Sequence, residues 1–177
     1  MTLPAWNRKF AALSLVVACL SLPNAFGNIS DARTLKFYHT HTQEQIEITY
    51  FSAGAYQEEE LDQINRFLSD WRNGKGREID PELMDILWDI QQVTGIRGTY
   101  EVISAYRSPE TNAMLRSRSN GVARNSQHLH GKAIDVRLRG LDTRVLRDTA
   151  LELKRGGVGF YAKSDFVHVD TGRVRSW

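Results

Sequence analysis

The sequence predicts an α+β domain: an antiparallel sheet with helices packed on one side. Three observations carry that expectation. Apolar residues alternate with polar ones along short runs in both halves of the chain. Longer segments between those runs carry apolar residues at helical spacing. Strands and helices also follow one another without the regular strand–helix–strand alternation that marks a parallel sheet. No repeat, low-complexity tract or linker divides the chain, and 177 residues suffice for one domain with a core.

Residues 1–27 stand apart. Arg8 and Lys9 precede an apolar run from Phe10 to Leu22, and Ala25-Phe26-Gly27 follows as a small-residue cleavage pattern. That is the make-up of a secretory signal peptide. The run is short for a bilayer span, so no transmembrane segment is expected in the mature chain, residues 28–177. Val16-Val17-Ala18-Cys19 also fits the loose pattern of a lipoprotein site, the alternative being a chain lipidated at Cys19. Leu20 and Leu22 keep the sequence apolar after that cysteine, which argues for ordinary cleavage. Removal of the leader takes away two basic residues and no acid, leaving 21 of each sign and lowering the formal net charge from +2 to zero. Nucleic acid is thereby excluded as an expected partner. The one cysteine goes too, and with it any disulfide, thiol nucleophile or thiolate ligand. A metal in the mature chain must be held by His, Asp or Glu.

The elements follow in order. Thr34 to Tyr50 alternates as a hairpin, with Leu35, Phe37 and His39 on one face of its first strand. His39 on that face reads as a core histidine. Glu58 to Trp71 carries Leu61, Ile64, Phe67, Leu68 and Trp71 on one helical stripe, opened by three acids and ended by Asn73-Gly74. Asp80-Pro81 is an N-cap followed by proline at the first helical position. Behind it Leu83, Ile86, Leu87, Ile90 and Val93 form a second stripe that stops at Gly95. Tyr100 to Ala105 predicts a strand and Pro109 to Arg118 a short helix. Ala133 to Leu138 predicts a strand with Ala133 and Asp135 on one face. Asp142 to Lys154 predicts a helix ended by Gly156-Gly157. Val158 to Tyr161 and Phe166 to Val169 are short strands joined by a tight turn.

Chemistry concentrates in three segments: Ser104 to Ser108, Ser126 to Asp135, and Asp165 to Asp170. A hydrolytic zinc ion wants three protein ligands and one open position. His128, Asp135 and His168 offer two neutral imidazoles and one carboxylate, and leave the ion a net positive charge that acidifies its water. Asp165 and Asp170 flank the last histidine as candidate proton acceptors. Arg107 is placed to hold a substrate carboxylate or a developing oxyanion. The bland reading of Asp135 is a salt bridge to Arg137 on the same strand face, which leaves His128 and His168 unexplained. His130 reads as an exposed strand-end residue; Trp71, Trp88, Phe160 and Tyr161 read as core, and lining a cleft is the alternative for Tyr106 and Tyr161, which adjoin the motifs.

Ser126-x-His128-x-x-Gly131-x-Ala133-x-Asp135, with His168 33 residues further on, resembles the zinc D-alanyl-D-alanine peptidase family. That family includes dipeptidases, phage endolysins and, distantly, the hedgehog signalling domain. The resemblance is nearer to its periplasmic murein endopeptidase K branch. The landmarks are Ile103-Ser104-Ala105-Tyr106-Arg107-Ser108, Arg116-Ser117-Arg118, Gly121-Val122-Ala123, Gly156-Gly157-Val158-Gly159-Phe160-Tyr161 and Phe166-Val167-His168-Val169-Asp170-Thr171-Gly172, with a final Trp177.

The resemblance implies the hedgehog/peptidase-like fold and one zinc per chain on His128, Asp135 and His168. It implies hydrolysis of peptide cross-links between peptidoglycan stems in the periplasm, with Arg107 and Ser126 at the substrate; Tyr106, beside the motif, is a further candidate there, and a monomer is expected. The nearer branch points to L,D links between two diamino acids. A D,D-endopeptidase or carboxypeptidase is the alternative, and a non-catalytic peptidoglycan-binding protein another. For the general base the wider family pattern favours Asp165, three residues before the histidine. The nearer branch and the pleat, which puts residues two apart on one side, favour Asp170.

Overall fold

The computed structural model describes Met1, residues 31–119 and residues 121–177. The leader, with Cys19 and the cleavage pattern, lies outside the described residues.

Strands β1 (Arg33–His39) and β2 (Gln45–Ser52) form the expected antiparallel hairpin, extended by the two-residue strand β3 (Ala55–Tyr56). Helices α1 (Glu58–Phe67) and α2 (Pro81–Thr94) follow, then β4 (Tyr100–Ser104) and α3 (Pro109–Arg118). A 3-10 turn at Gln127–His130 leads into β5 (Ala133–Leu138), α4 (Thr143–Leu153), β6 (Gly157–Tyr161), β7 (Phe166–Asp170) and β8 (Arg175–Ser176). Among the described residues, all eight strands join one sheet in the order β3-β2-β1-β4-β5-β7-β6-β8.

The α+β class holds, but the sheet is mixed rather than purely antiparallel. β1 pairs parallel with β4, and β6 parallel with β8. The first of these has a plain cause: the chain between β1 and β4 contains a hairpin return and two helices, which carry it back to re-enter in the same direction.

Local chemistry starts the helices where expected. Asp80 accepts a hydrogen bond from the Glu82 N–H at 3.1 Å ahead of Pro81. Ser108 and Asp142 cap α3 and α4 in the same way. Some boundaries and exposures differ from expectation. α1 stops at Phe67, because the chain turns so that the fully buried Asp70 carboxylate can accept from the Ser108 and Arg72 N–H groups. Trp71 therefore leaves the helical stripe, is exposed, and stacks on His41 at 4.3 Å. Val93 is exposed as well. α4 ends on Lys154 in the left-handed conformation, and Gly157 opens β6.

One face of the sheet meets the helices. Phe37, Val102, Ile134, Val136, Val167 and Val169 share a single apolar cluster with Leu83, Leu87, Ile90, Leu146 and Ala150. Alternation sends Asp135 and His168, which are direct cross-strand partners, to the opposite face. The helix-covered core thus fixes the strands, and the chemistry occupies the other side.

Candidate metal centre

Three elements bring the ligand atoms together. Asp135 and His168 lie opposite each other on β5 and β7. His128 comes from the 3-10 turn, where Ser126 Oγ accepts the His128 N–H at 3.4 Å. Gly131 closes that turn at φ +67°, and an added Cβ would meet the Glu78 carbonyl oxygen at 2.1 Å. Only glycine satisfies both the backbone angle and the close approach.

His128 Nδ1 donates to the Ala105 carbonyl at 2.6 Å, which turns Nε2 inward. His168 Nε2 donates to Asp170 Oδ2 at 2.9 Å, which turns Nδ1 inward. The two inward nitrogens are 3.1 Å apart, and Asp135 Oδ1 lies 3.2 Å from one and 2.9 Å from the other. Three atoms that can serve as metal ligands are thus brought together in the interior, with all three side chains buried. For metal–ligand bonds of about 2.0–2.1 Å, tetrahedral ligands sit about 3.3 Å apart. A spreading of a few tenths of an ångström fits this set to zinc.

The electrostatics suit a cation. Burial pushes His128 below the ordinary imidazole pKa against the pull of Asp135. Burial works against ionisation of Asp135, but hydrogen bonds and charge from His128 and His168 outweigh it and hold the carboxyl well below its usual range. Burial also disfavours charge on His168, yet its bonds to Asp135 and Asp170 raise its pKa overall. A proton and a metal therefore compete for this ring.

The cluster floors a cavity of about 300 Å³. Arg107 stands over it, with Nη2 donating to Asp135 Oδ2 at 2.5 Å and Nε to Ser104 Oγ at 2.9 Å. Arg107, not Arg137, is thus the partner of Asp135; Arg137 turns to Glu101. Ser126 lines the cavity, as do Tyr161, Phe166 and Trp177, which form an aromatic wall. Trp177 Nε1 donates to Tyr161 Oη at 3.0 Å, and Tyr161 stacks on Phe166 at 4.5 Å.

Other expected residues lie elsewhere. Tyr106 is buried in the core and does not border the cavity. Asp165, at φ +51°, accepts from Thr143 Oγ1 at 2.6 Å and borders a different depression beside Arg137 and Asp142. Asp170 does share the side of His168, but it sits behind the ring and is fully buried. Its Oδ1 accepts from the Gly157 and Gly172 N–H groups, and Arg175 grips both oxygens at 3.0 and 2.6 Å. Neither candidate base faces the cavity, and Asp135 is the one carboxylate among its described lining residues. His130 is exposed and bonds Asn125 at 3.0 Å, from the 3-10 turn rather than a strand end.

Arg175 was not among the sequence candidates. The Gly156-Gly157 pair was its one trace: a Cβ on Gly157 would meet Arg175 Nη1 at 2.2 Å and Asp170 Oδ2 at 2.5 Å.

A family model described as "Peptidoglycan L,D-endopeptidase MepK" matches residues 28–177. The chain belongs to the MepK family. Escherichia coli strain K12 "Peptidoglycan L,D-endopeptidase MepK" is 42% identical over 176 residues, covering 97% of this chain and 96% of its own. The Haemophilus influenzae protein named "Probable peptidoglycan L,D-endopeptidase MepK" is 38% identical, covering 97% and 95%. No solved structure matches the chain. Among the described residues no helix is long and apolar enough to cross a membrane, and His128, Asp135 and His168 are the one group placed to hold a metal ion.

Proposed function

We propose that this chain is a zinc-dependent peptidoglycan endopeptidase that cuts L,D cross-links between two diamino acids, in the periplasm, as a monomer freed of residues 1–27. The observation that carries the proposal is the buried trio of inward ligand atoms, 2.9–3.2 Å apart, at the floor of an open cavity. The names of the MepK relatives supply the bond.

His128, Asp135 and His168 would hold zinc, which polarises the scissile carbonyl and acidifies a water when bound. Arg107 lines the cavity beside the cluster and neutralises charge that develops on the carbonyl oxygen. Ser126 and the Tyr161–Phe166 wall position the peptide. Asp170 acts through His168: it holds the Nε2 proton and so keeps Nδ1 free as a ligand. Asp135 Oδ2 accepts from Arg107, which orients the carboxylate and leaves Oδ1 to the metal.

The test uses defined muropeptide dimers, one joined by an L,D link and one by a D,D link, with mass analysis of products. Cleavage of the L,D dimer, abolished by chelator and restored by zinc, is expected. Cleavage of the D,D dimer alone overturns the bond assignment. Binding to sacculi with no release from either dimer at saturating zinc makes the chain a binding protein instead.

A further inference from the structure

Arg77, Arg116 and Arg124 converge with His130 around an open depression of about 420 Å³ that has no acidic residue in its lining. None of these arginines has a carboxylate within ion-pair distance among the described residues. Arg33, Arg107, Arg137, Arg139, Arg155 and Arg175, by contrast, are each in an ion pair. The mature chain carries balanced charge, so three unneutralised guanidiniums at one place are a local concentration and not a general basicity.

The depression shares a wall with the metal cavity. Ala123 and Asn125 line the cavity and Arg124, between them, lines the depression. Two hydrogen bonds run through the wall: Asn112 Nδ2 donates to the Ala123 carbonyl at 3.2 Å, and His130 Nε2 pairs with Asn125 Oδ1 at 3.0 Å. Asn112 and His130 belong to the depression. A ligand there is one peptide-wall thickness from the cleavage site.

We infer that this depression is a second subsite, which binds carboxylate groups of the stem peptide lying outside the metal cavity. The inference rests on the endopeptidase reading. A cross-linked substrate has two carboxylate-bearing stems, and one cavity of about 300 Å³ accommodates only the residues around the scissile bond. Arginine forks match carboxylates bidentately, and Leu129, Ala113 and Pro109 offer apolar contact to the alkyl chain of a diamino acid.

The test compares the wild type with Arg77→Gln/Arg116→Gln/Arg124→Gln and with a control that removes three exposed arginines elsewhere, Arg66→Gln/Arg97→Gln/Arg144→Gln. Binding of an L,D-linked muropeptide dimer is measured by calorimetry on the zinc-free chains, so the result stands whether or not hydrolysis occurs. Turnover is measured separately on the zinc-loaded chains. Expected is a loss of about tenfold in affinity and a KM about tenfold higher with kcat within about twofold, the mark of a uniform binding contact. The salt dependence of KM should flatten in the same variant. Equal affinity for the cluster variant and the control overturns the subsite. So does a cluster variant that loses only binding to vesicles of anionic phospholipid, which would make the patch a membrane contact. An inactive wild type whose dimer binding still depends on the cluster refutes the endopeptidase reading and leaves the carboxylate site standing.

Discussion

Around His168 the pleat argument picks the right side and the wrong depth. Residues two apart on β7 do share a face, and Asp170 does follow His168. Yet alternation says nothing about which group stands in front. The imidazole fronts the cavity, while Arg175, Gly157 and Gly172 consume every lone pair behind it. That His128, Asp135 and His168 come together was legible because histidines and an acid in apolar runs demand a common partner. Arg175 was not, since it reaches Asp170 from a two-residue strand with no periodicity to read. Asp170→Asn should accordingly weaken zinc affinity about 10–100-fold, as other partners of ligating histidines do, in competition with a chromophoric chelator. Turnover should return at saturating zinc. A deficit of about 10²–10⁴ that persists with zinc fully bound would make Asp170 the proton-transfer group.

The same residue sets a pH signature. The raised pKa of His168 in the zinc-free chain means that its protonated form stabilises the fold. That contribution is complete below the ordinary imidazole value and fades as pH rises through the raised one. Zinc binding requires the ring to be neutral, so its stabilisation grows with pH. Between pH 6 and 9 the melting temperature should fall for the chain in chelator and rise for the chain in excess zinc. Parallel curves would refute the competition.

At the scale of elements, the hairpin is tied to α2 by one acid. Asp85 lies on the buried side of the helix and accepts from Tyr50 Oη at 2.9 Å, Tyr56 Oη at 2.6 Å and Arg33 Nη1 at 2.7 Å. Burial and the neighbouring carboxylate push the Tyr56 phenol up to about 12, so it remains a donor. Asp85→Ala should cost about 3 kcal/mol, because it strands the buried Tyr50 hydroxyl and a guanidinium together. Asp85→Asn, which keeps an acceptor, should cost about 1 kcal/mol. Denaturant midpoints rank the two, and equal losses would show that charge alone matters. Asp85 was not singled out in the sequence, because its partners sit about 30 and 50 residues upstream, beyond the reach of any local pattern. The helix starts were legible because capping is local; the end of α1 was not, because Asp70 bonds the distant Ser108.

Taken whole, the molecule separates what holds it together from what it does. The apolar cluster between sheet and helices contains no ligand. Chelation should therefore abolish cleavage while leaving the circular dichroism spectrum unchanged and unfolding cooperative. Loss of secondary structure on chelation would show that the ion is part of the fold. The α+β class was legible in the order of the periodic segments. The parallel pairs were not, because sheet neighbours are chosen by crossover connections that leave no periodic mark.

Both margins of the sheet end in strands of two residues, β3 and β8. β3 covers only Phe51 and Ser52 of β2, so on that margin residues 45–49 meet no outer strand among the described residues. Folded molecules crowded against a polymeric net of their own substrate thus meet one another with one margin of the sheet open to a further strand, and the exposed ion pair of Lys36 and Glu47 across β1 and β2 is the charge that stands beside it.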